Sequence, residues 1–204
     1  MTKIYFVRHG ESEANLLHEI SNRGFKHGLT ERGFQQVNQL ARSLQGIPFA
    51  QIYTSPIKRA FQTAEILSQA LKVPLEITPA LREFDCGELE GKSGPESWVI
   101  FDQVVQQWQE GNWDAHVPGG ESHFDIQARF IPFIEALIQT DMHENILLVG
   151  HGGTYRCMFP LVVKNLDLAT ISNLNIQHTM PIIVETRPGG LYCTHWGEIT
   201  LANS

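Results

Sequence analysis

Ile4-Tyr5-Phe6-Val7-Arg8-His9-Gly10-Glu11 runs from four apolar or aromatic side chains into an arginine, a histidine and a glycine. An apolar run this short, stopped by a glycine, reads as a buried strand rather than a helix. His9 therefore stands just past the end of the first strand. A second stretch repeats the pattern: Ile146-Leu147-Leu148-Val149 leads into Gly150-His151-Gly152-Gly153 and then into a new helix. In open α/β sheets ligands collect outside the carboxyl ends of the strands. If the two strands are central neighbours, both imidazoles converge on one crevice. The glycines after each histidine let backbone N–H groups approach an anion, and the helix after Gly153 would point its N-terminus at it. Phosphate is the natural guest.

Outward from these two stretches, helical and strand patterns alternate. From Thr30, an N-cap, the residues Phe34, Val37, Leu40, Ala41 and Leu44 recur at helical spacing until Gly46-Ile47-Pro48 closes the helix. Ile52 to Thr54 predicts a short strand. Ser55-Pro56 reads as an N-cap followed by proline at the first helical position, with Ile57, Ala60, Phe61, Ala64, Leu67 and Leu71 along one face. Pro74 to Thr78 predicts a further strand. Pro160 falls inside the helix expected from about Thr154, which should kink or end early there. Pro181 to Glu185 and Leu191 to Trp196, separated by Pro188-Gly189-Gly190, read as a hairpin. This order predicts an α/β fold: a three-layer αβα sandwich whose central sheet is mostly parallel, with an antiparallel edge strand at the C-terminus. Residues 1–204 read as a single domain. Residues 88–120 hold Trp98, Trp108 and Trp113 and read as a helical insertion over the active site, its tryptophans serving packing rather than a pocket.

Composition narrows the function. A chain of 204 residues, 42% hydrophobic and 18% charged, can bury a sizeable core without disulfides or metals. Fifteen Lys plus Arg against 22 Asp plus Glu give a net charge of -7, which works against nucleic acid as a partner and requires any anion site to be local. Cys86, Cys157 and Cys193 are odd in number and form no C-x-x-C pair, so neither a disulfide framework nor a zinc site is indicated. The apolar run near the N-terminus is far too short for a secretory signal or a membrane span. A cytoplasmic location with no membrane partner is the expectation.

In order along the chain, Arg8-His9-Gly10-Glu11 with Asn15, Leu29-Thr30 with Gly33 and Gln36, Ser55-Pro56 with Arg59 and Gln62-Thr63-Ala64, Leu81-Arg82-Glu83 with Gly87 and Glu90-Gly91, Pro118-Gly119-Gly120-Glu121-Ser122, and Val149-Gly150-His151-Gly152 resemble the histidine phosphatase superfamily, the phosphoglycerate mutase-like family. The resemblance spans nearly the whole chain. It implies His9 as the nucleophile, with Arg8, Asn15, Arg59, His151 and Gly152 around the phosphoryl group and no metal or other cofactor. Glu83 is implied as the proton donor, placing it with His9 and His151 among the catalytic residues. Physical chemistry agrees: a neutral imidazole is a nucleophile at physiological pH, and a covalent intermediate divides one hard displacement into two easier ones. Arginine forks match phosphoryl oxygens with charge-assisted bonds. Asp85 is a second candidate for the acid role, since neighbouring carboxylates favour the protonated form of one partner. Glu11 reads as a first-turn helix charge. His18, Arg23, Lys26 and His27 read as a solvated basic loop, or alternatively as a contact for a second anionic group.

Three functions compete. The first is a phosphomonoesterase acting on a small phosphorylated metabolite through a phosphohistidine on His9. The second is a cofactor-dependent phosphoglycerate mutase, and the third a non-catalytic module that binds a phospho-ligand. The third explains Arg8, Arg59 and His151 but gives Glu83 no task. A mutase of this resemblance uses basic residues in the insertion, whereas between Arg82 and Arg129 the chain has no arginine and only Lys92. A G-x-S-x-G elbow and a Walker lysine motif are also absent, which disfavours serine hydrolase and nucleotide-dependent kinase chemistry. The reading is therefore a phosphomonoesterase. Its natural substrate and its oligomeric state are left open by the sequence.

Overall fold

The computed structural model describes residues 2–139 and 144–201. Along the chain come β1 (Lys3–Arg8), α1 (Glu13–Leu17), α2 (Glu31–Ser43), β2 (Phe49–Thr54), α3 (Lys58–Leu71), β3 (Leu75–Ile77), α4 (Pro95–Gln109), α5 (His123–Gln139), β4 (Asn145–Gly150), α6 (Gly152–Val162), α7 (Leu168–Ser172), β5 (Ile182–Arg187), β6 (Gly190–Trp196) and β7 (Ile199–Thr200). The strands form one sheet in the order β3-β2-β4-β1-β5-β6-β7.

β1 and β4 are parallel neighbours, with Phe6 opposite Leu148 and Arg8 opposite Gly150. β2 lies parallel on the other side of β4, and β3 parallel beside β2. The expectation of a mostly parallel centre is met there. The antiparallel part is larger than one edge strand: β5 pairs directly with β1, and β6 and β7 follow it outward. The hairpin was legible from its turn, but the return of the hairpin to the first strand was not, because strand order is set by long-range burial.

Side-chain alternation explains why the central strands read as continuous apolar runs. Ile4, Phe6, Ile146 and Leu148 face one layer, where Phe130 and Ile134 of α5 and Tyr155, Met158 and Phe159 of α6 cover them. Tyr5, Val7, Leu147 and Val149 face the other layer, under Val37 and Leu40 of α2 and Ala60, Ala64 and Leu67 of α3. Burial on both faces removes the polar alternation of a half-exposed strand. Phe6 is fully buried and stands edge-on to Tyr155 and Phe159, with ring centroids 5.4 and 4.9 Å away. Burying one such side chain contributes about 2 kcal/mol. α2, the second helix after β1, and α6, which follows β4, thus cover opposite faces. That divergence opens the crevice between the carboxyl ends of β1 and β4.

Several local expectations need correction. Thr30 does cap α2, accepting from the Gly33 amide. Ser55, however, does not cap α3: the helix begins at Lys58, and the Ser55 hydroxyl accepts from the Ile57 amide one turn earlier. α6 begins at Gly152 and continues past Pro160 to Val162, because a proline so near the end removes one ladder bond without stopping the last turn. Glu11 precedes α1; its amide donates to Gln36 and its carboxylate accepts from the Thr30 hydroxyl. The basic residues before Leu29 are spent on ion pairs, Arg23 with Asp85 and Lys26 with Glu19, and His27 is buried against Glu19.

Candidate active site

β1 and β4 each deliver a histidine at the same edge of the sheet. His9 follows β1 and donates its backbone N–H to the Gly150 carbonyl at the end of β4, 3.1 Å away. His151 caps the start of α6, and the two imidazole centroids lie 5.1 Å apart. Both side chains are buried. Their convergence is the one the spacing of the two motifs anticipates.

The hydrogen bonds around His9 settle its tautomer. Nδ1 lies 2.7 Å from the Gly10 carbonyl oxygen, which can only accept, so Nδ1 carries the proton. Nε2 is then a bare lone pair, and the Nε–H of Arg59 donates to it at 2.9 Å. Burial, joined by the positive charges of Arg59 and Arg8 and by the neighbouring rings of His151 and His178, pushes the His9 imidazole well below its ordinary value of 6.5. A neutral ring with an unprotonated Nε2 is the reactive form of a histidine nucleophile.

Two arginines flank this ring. Arg59, in the first turn of α3, is 5% exposed and also donates through one terminal nitrogen to the Ser21 carbonyl at 2.6 Å. Burial draws its guanidinium down to about 10, against the opposing pull of Glu83. Arg8 ends β1 and donates one terminal N–H to the Ile176 carbonyl at 2.9 Å. Its Nε and the Nδ1 of His151 are buried without a partner. Buried polar groups are almost always paired, so unpaired atoms on two residues beside His9 mark a place made for a hydrogen-bonding guest.

Glu83 approaches from the segment after β3. Its carboxylate accepts from the backbone N–H groups of Gly153 at 3.0 Å and Thr154 at 2.7 Å, in the first turn of α6. A Cβ at Gly153 would stand 2.7 Å from Glu83 Oε1, so glycine is what permits this approach. Asn15 spends its Oδ1 on the backbone and hydroxyl of Ser12, which leaves its amide N–H groups for a ligand. Asp85 is held by Arg23 and by the Gly87 amide and does not face the same space.

A cavity of about 300 Å³ brings the expected residues together: Arg8, His9, Asn15, Arg59, Glu83 and Gly152 all line it. His151 is fully buried and not part of that lining, its ring beside that of His9. The far wall is apolar, from Phe84 and from Trp98, Phe101 and Val105 of α4. α4 thus contributes three side chains to the lining. Trp98 joins the wall of this cavity and donates to the His18 carbonyl; Trp108 and Trp113 lie outside it, with indole N–H bonds to the Ala115 and Trp108 carbonyls, but they line a separate cavity with His123 and Leu168, so packing is not their whole role. Two polar side chains of the site escaped the sequence reading. His178 donates through Nδ1 to the His9 carbonyl at 2.7 Å, and burial with the nearby Arg8 lowers it to about 4. The Ser55 hydroxyl lies 2.8 Å from His151 Nε2. His178 sits in a loop with no motif around it, whereas Ser55 ends a strand beside Arg59 and could have been noticed. Among the described residues no three His, Cys, Asp or Glu side chains form a cluster suited to a metal ion, and no helix is long and apolar enough to cross a membrane.

A parallel-centred α/β sheet with paired imidazoles and guanidinia at the carboxyl ends of adjacent strands defines an anion-handling enzyme class. The chain belongs to the histidine phosphatase superfamily (branch 1), whose family model matches residues 4–199. It is 37% identical over 157 residues to the 6-phosphofructo-2-kinase/fructose-2,6-bisphosphatase of Aquarana catesbeiana, covering 76% of this chain but only 31% of that protein. It is 31% identical over 189 residues to the 2,3-bisphosphoglycerate-dependent phosphoglycerate mutase of Methylobacterium radiotolerans, covering 88% and 87% of the two chains. The solved structure of Bacillus stearothermophilus YhfR superposes with a TM-score of 0.81 at 26% identity, covering 98% of each chain. Phosphatases and mutases both stand among its relatives.

Proposed function

We propose that the protein is a phosphomonoesterase that passes the phosphoryl group of a small phosphorylated metabolite through His9 to water. The observation that carries this reading is the bare Nε2 of a buried, neutral His9, held by the Nδ1–H bond to Gly10. Substrate phosphate enters the cavity and takes the donors of Arg59 and Arg8. Nε2 attacks phosphorus; the N–P bond forms as the P–O bond to the leaving alcohol breaks, and Glu83 acts as general acid, giving a proton to that oxygen. Glu83, now a carboxylate, accepts a proton from water, whose oxygen attacks phosphorus as the N–P bond breaks. Arg8, Arg59, Asn15, His151 and the amide of Gly152 stabilise the charge on the equatorial oxygens throughout. Splitting the displacement in two keeps each barrier low.

The alternative, phosphoryl return to the same substrate as in a mutase, is disfavoured by the cations available. Those lining the cavity are Arg8, Arg59 and Arg156, and Arg156 is engaged by the Ile171 and Leu174 carbonyls. With Arg8 and Arg59 assigned to the phosphoryl group, Arg156 is the one cation among the described lining residues that remains for the second anionic group of a phosphoglycerate, and two of its N–H groups are already taken. Phosphate release from a panel of phosphomonoesters, measured beside conversion of 3-phosphoglycerate to 2-phosphoglycerate, tests the choice. Release without isomerisation is expected; efficient isomerisation without release overturns it.

A further inference from the structure

Ser55 occupies the carboxyl end of β2, the strand beside β4, so the ends of three adjacent parallel strands carry Ser55, His151 and His9 in turn. Its side chain is fully buried. The oxygen already accepts the Ile57 N–H at 3.2 Å. The hydroxyl proton needs an acceptor as well, and the polar atom within reach is Nε2 of His151, 2.8 Å away. A buried hydroxyl left without an acceptor is unfavourable, because it gives up its bond to water and gains none in return. Donation from Ser55 to Nε2 is therefore the arrangement that satisfies every atom on this side of the ring.

That arrangement has a consequence at the opposite nitrogen. Burial, together with the positive charges of Arg59, Arg8 and Arg129, keeps the His151 ring neutral, so it carries one proton. With Nε2 accepting, the proton resides on Nδ1, which is buried and has no partner. The second orphaned donor beside His9 is Arg8 Nε. A Cβ placed at Gly152, the residue after His151, would stand 3.4 Å from it. Two unsatisfied N–H groups of this kind, next to a bare nucleophile, match acceptor oxygens of one tetrahedral guest.

We propose that Ser55 is a positioning residue that fixes the Nδ1–H tautomer of His151, so that Nδ1 donates to a phosphoryl oxygen being transferred to or from His9. Ser55 touches neither substrate nor phosphorus. The opposite tautomer would turn a lone pair toward the phosphoryl oxygens and repel them. The catalytic half of the proposal rests on the phosphomonoesterase reading; the tautomer half does not.

Nitrogen-15 spectra of the histidines in the whole protein, with and without orthovanadate, read the tautomer directly. Wild type should show a protonated Nδ1 and a bare Nε2 at His151, and Ser55→Ala should lose that pattern while the other histidine signals report an intact fold. Turnover should fall on the order of 10- to 100-fold in Ser55→Ala, in kcat rather than KM, and return in Ser55→Thr, which restores the hydroxyl. His151→Asn, whose amide stands where Nδ1–H stood, should keep more activity than His151→Gln, whose amide replaces Nε2. A wild-type His151 protonated at Nε2, or equal activity in Ser55→Ala, overturns the proposal. An Nδ1–H tautomer in a protein that hydrolyses no phosphomonoester overturns the phosphatase reading instead, and with it only the catalytic half.

Discussion

In the proposed mechanism the nucleophilicity of His9 follows from one proton placed by one carbonyl. Because Gly10 holds the Nδ1 proton at 2.7 Å, the lone pair has no other place than Nε2, inside the cavity. His9→Ala is expected to lower turnover by at least about 10³-fold and to abolish acid-labile labelling of the chain by a phosphoryl donor. Labelling that survives the substitution would remove the phosphohistidine from the mechanism. Glu83→Gln keeps the shape of the residue and its place near the first turn of α6 but cannot shuttle a proton. A loss of about 10²- to 10⁴-fold in kcat is expected, smaller for substrates whose leaving alcohol is acidic and needs no proton. An undiminished rate with a poor leaving group would return the acid role to another residue.

Elements hold these side chains by close backbone contact, and glycines set the distances. Gly33, in the first turn of α2, packs so tightly on the loop after β1 that a Cβ there would overlap the Glu11 carbonyl oxygen. That oxygen also accepts the Thr30 N–H at 3.0 Å, so the loop cannot simply withdraw. Gly33→Ala is expected to destabilise the fold by about 1–3 kcal/mol, read from the urea midpoint, and to lower activity by shifting Gly10 and His9. An unchanged midpoint would mean that the loop yields freely. The helices and strands themselves were largely legible: the caps and periodicities of α2 and the apolar runs of β1 and β4 are local signals. The starts of α3 and α6 were each misread by two residues; at α3 the reason is that the Ser55 hydroxyl bonds to His151 across the sheet and to the Ile57 amide, not to the helix that follows.

At the scale of the whole molecule, the site is stored as buried neutral histidines, and this links stability to pH. His9 and His151 are held well below 6.5, and His178 at about 4. Above pH 6.5 both folded and unfolded chains hold these rings neutral, and they contribute no pH dependence. As pH falls below 6.5 the unfolded chain binds protons that the folded chain refuses, so stability declines, until His178 begins to protonate in the fold near pH 4. Each ring approaches a slope of about 1.4 kcal/mol per pH unit in that window. Urea unfolding at pH 7 and pH 5, the latter still above the ordinary carboxylate range, should show a loss of a few kcal/mol. His178→Gln should shallow that slope; an identical slope would exclude His178 as a contributor.

By itself the sequence determined the alternating element order, the placement of His9 and His151 just beyond two strand ends, and the ordered family motifs that single out Arg8, Arg59 and Glu83. These depend on neighbours a few residues apart, where propensity, capping and apolar runs act. Only the tertiary structure decided that β1 and β4 adjoin, that Trp98 walls the cavity while Trp108 and Trp113 do not, and that Ser55 and His178 bond to the paired histidines. The reason is physical: a hydrogen bond across 96 positions, from Ser55 to His151, or across 169, from His178 to His9, leaves no periodicity in the chain. It exists only once burial on both faces of the sheet has brought the strand ends together.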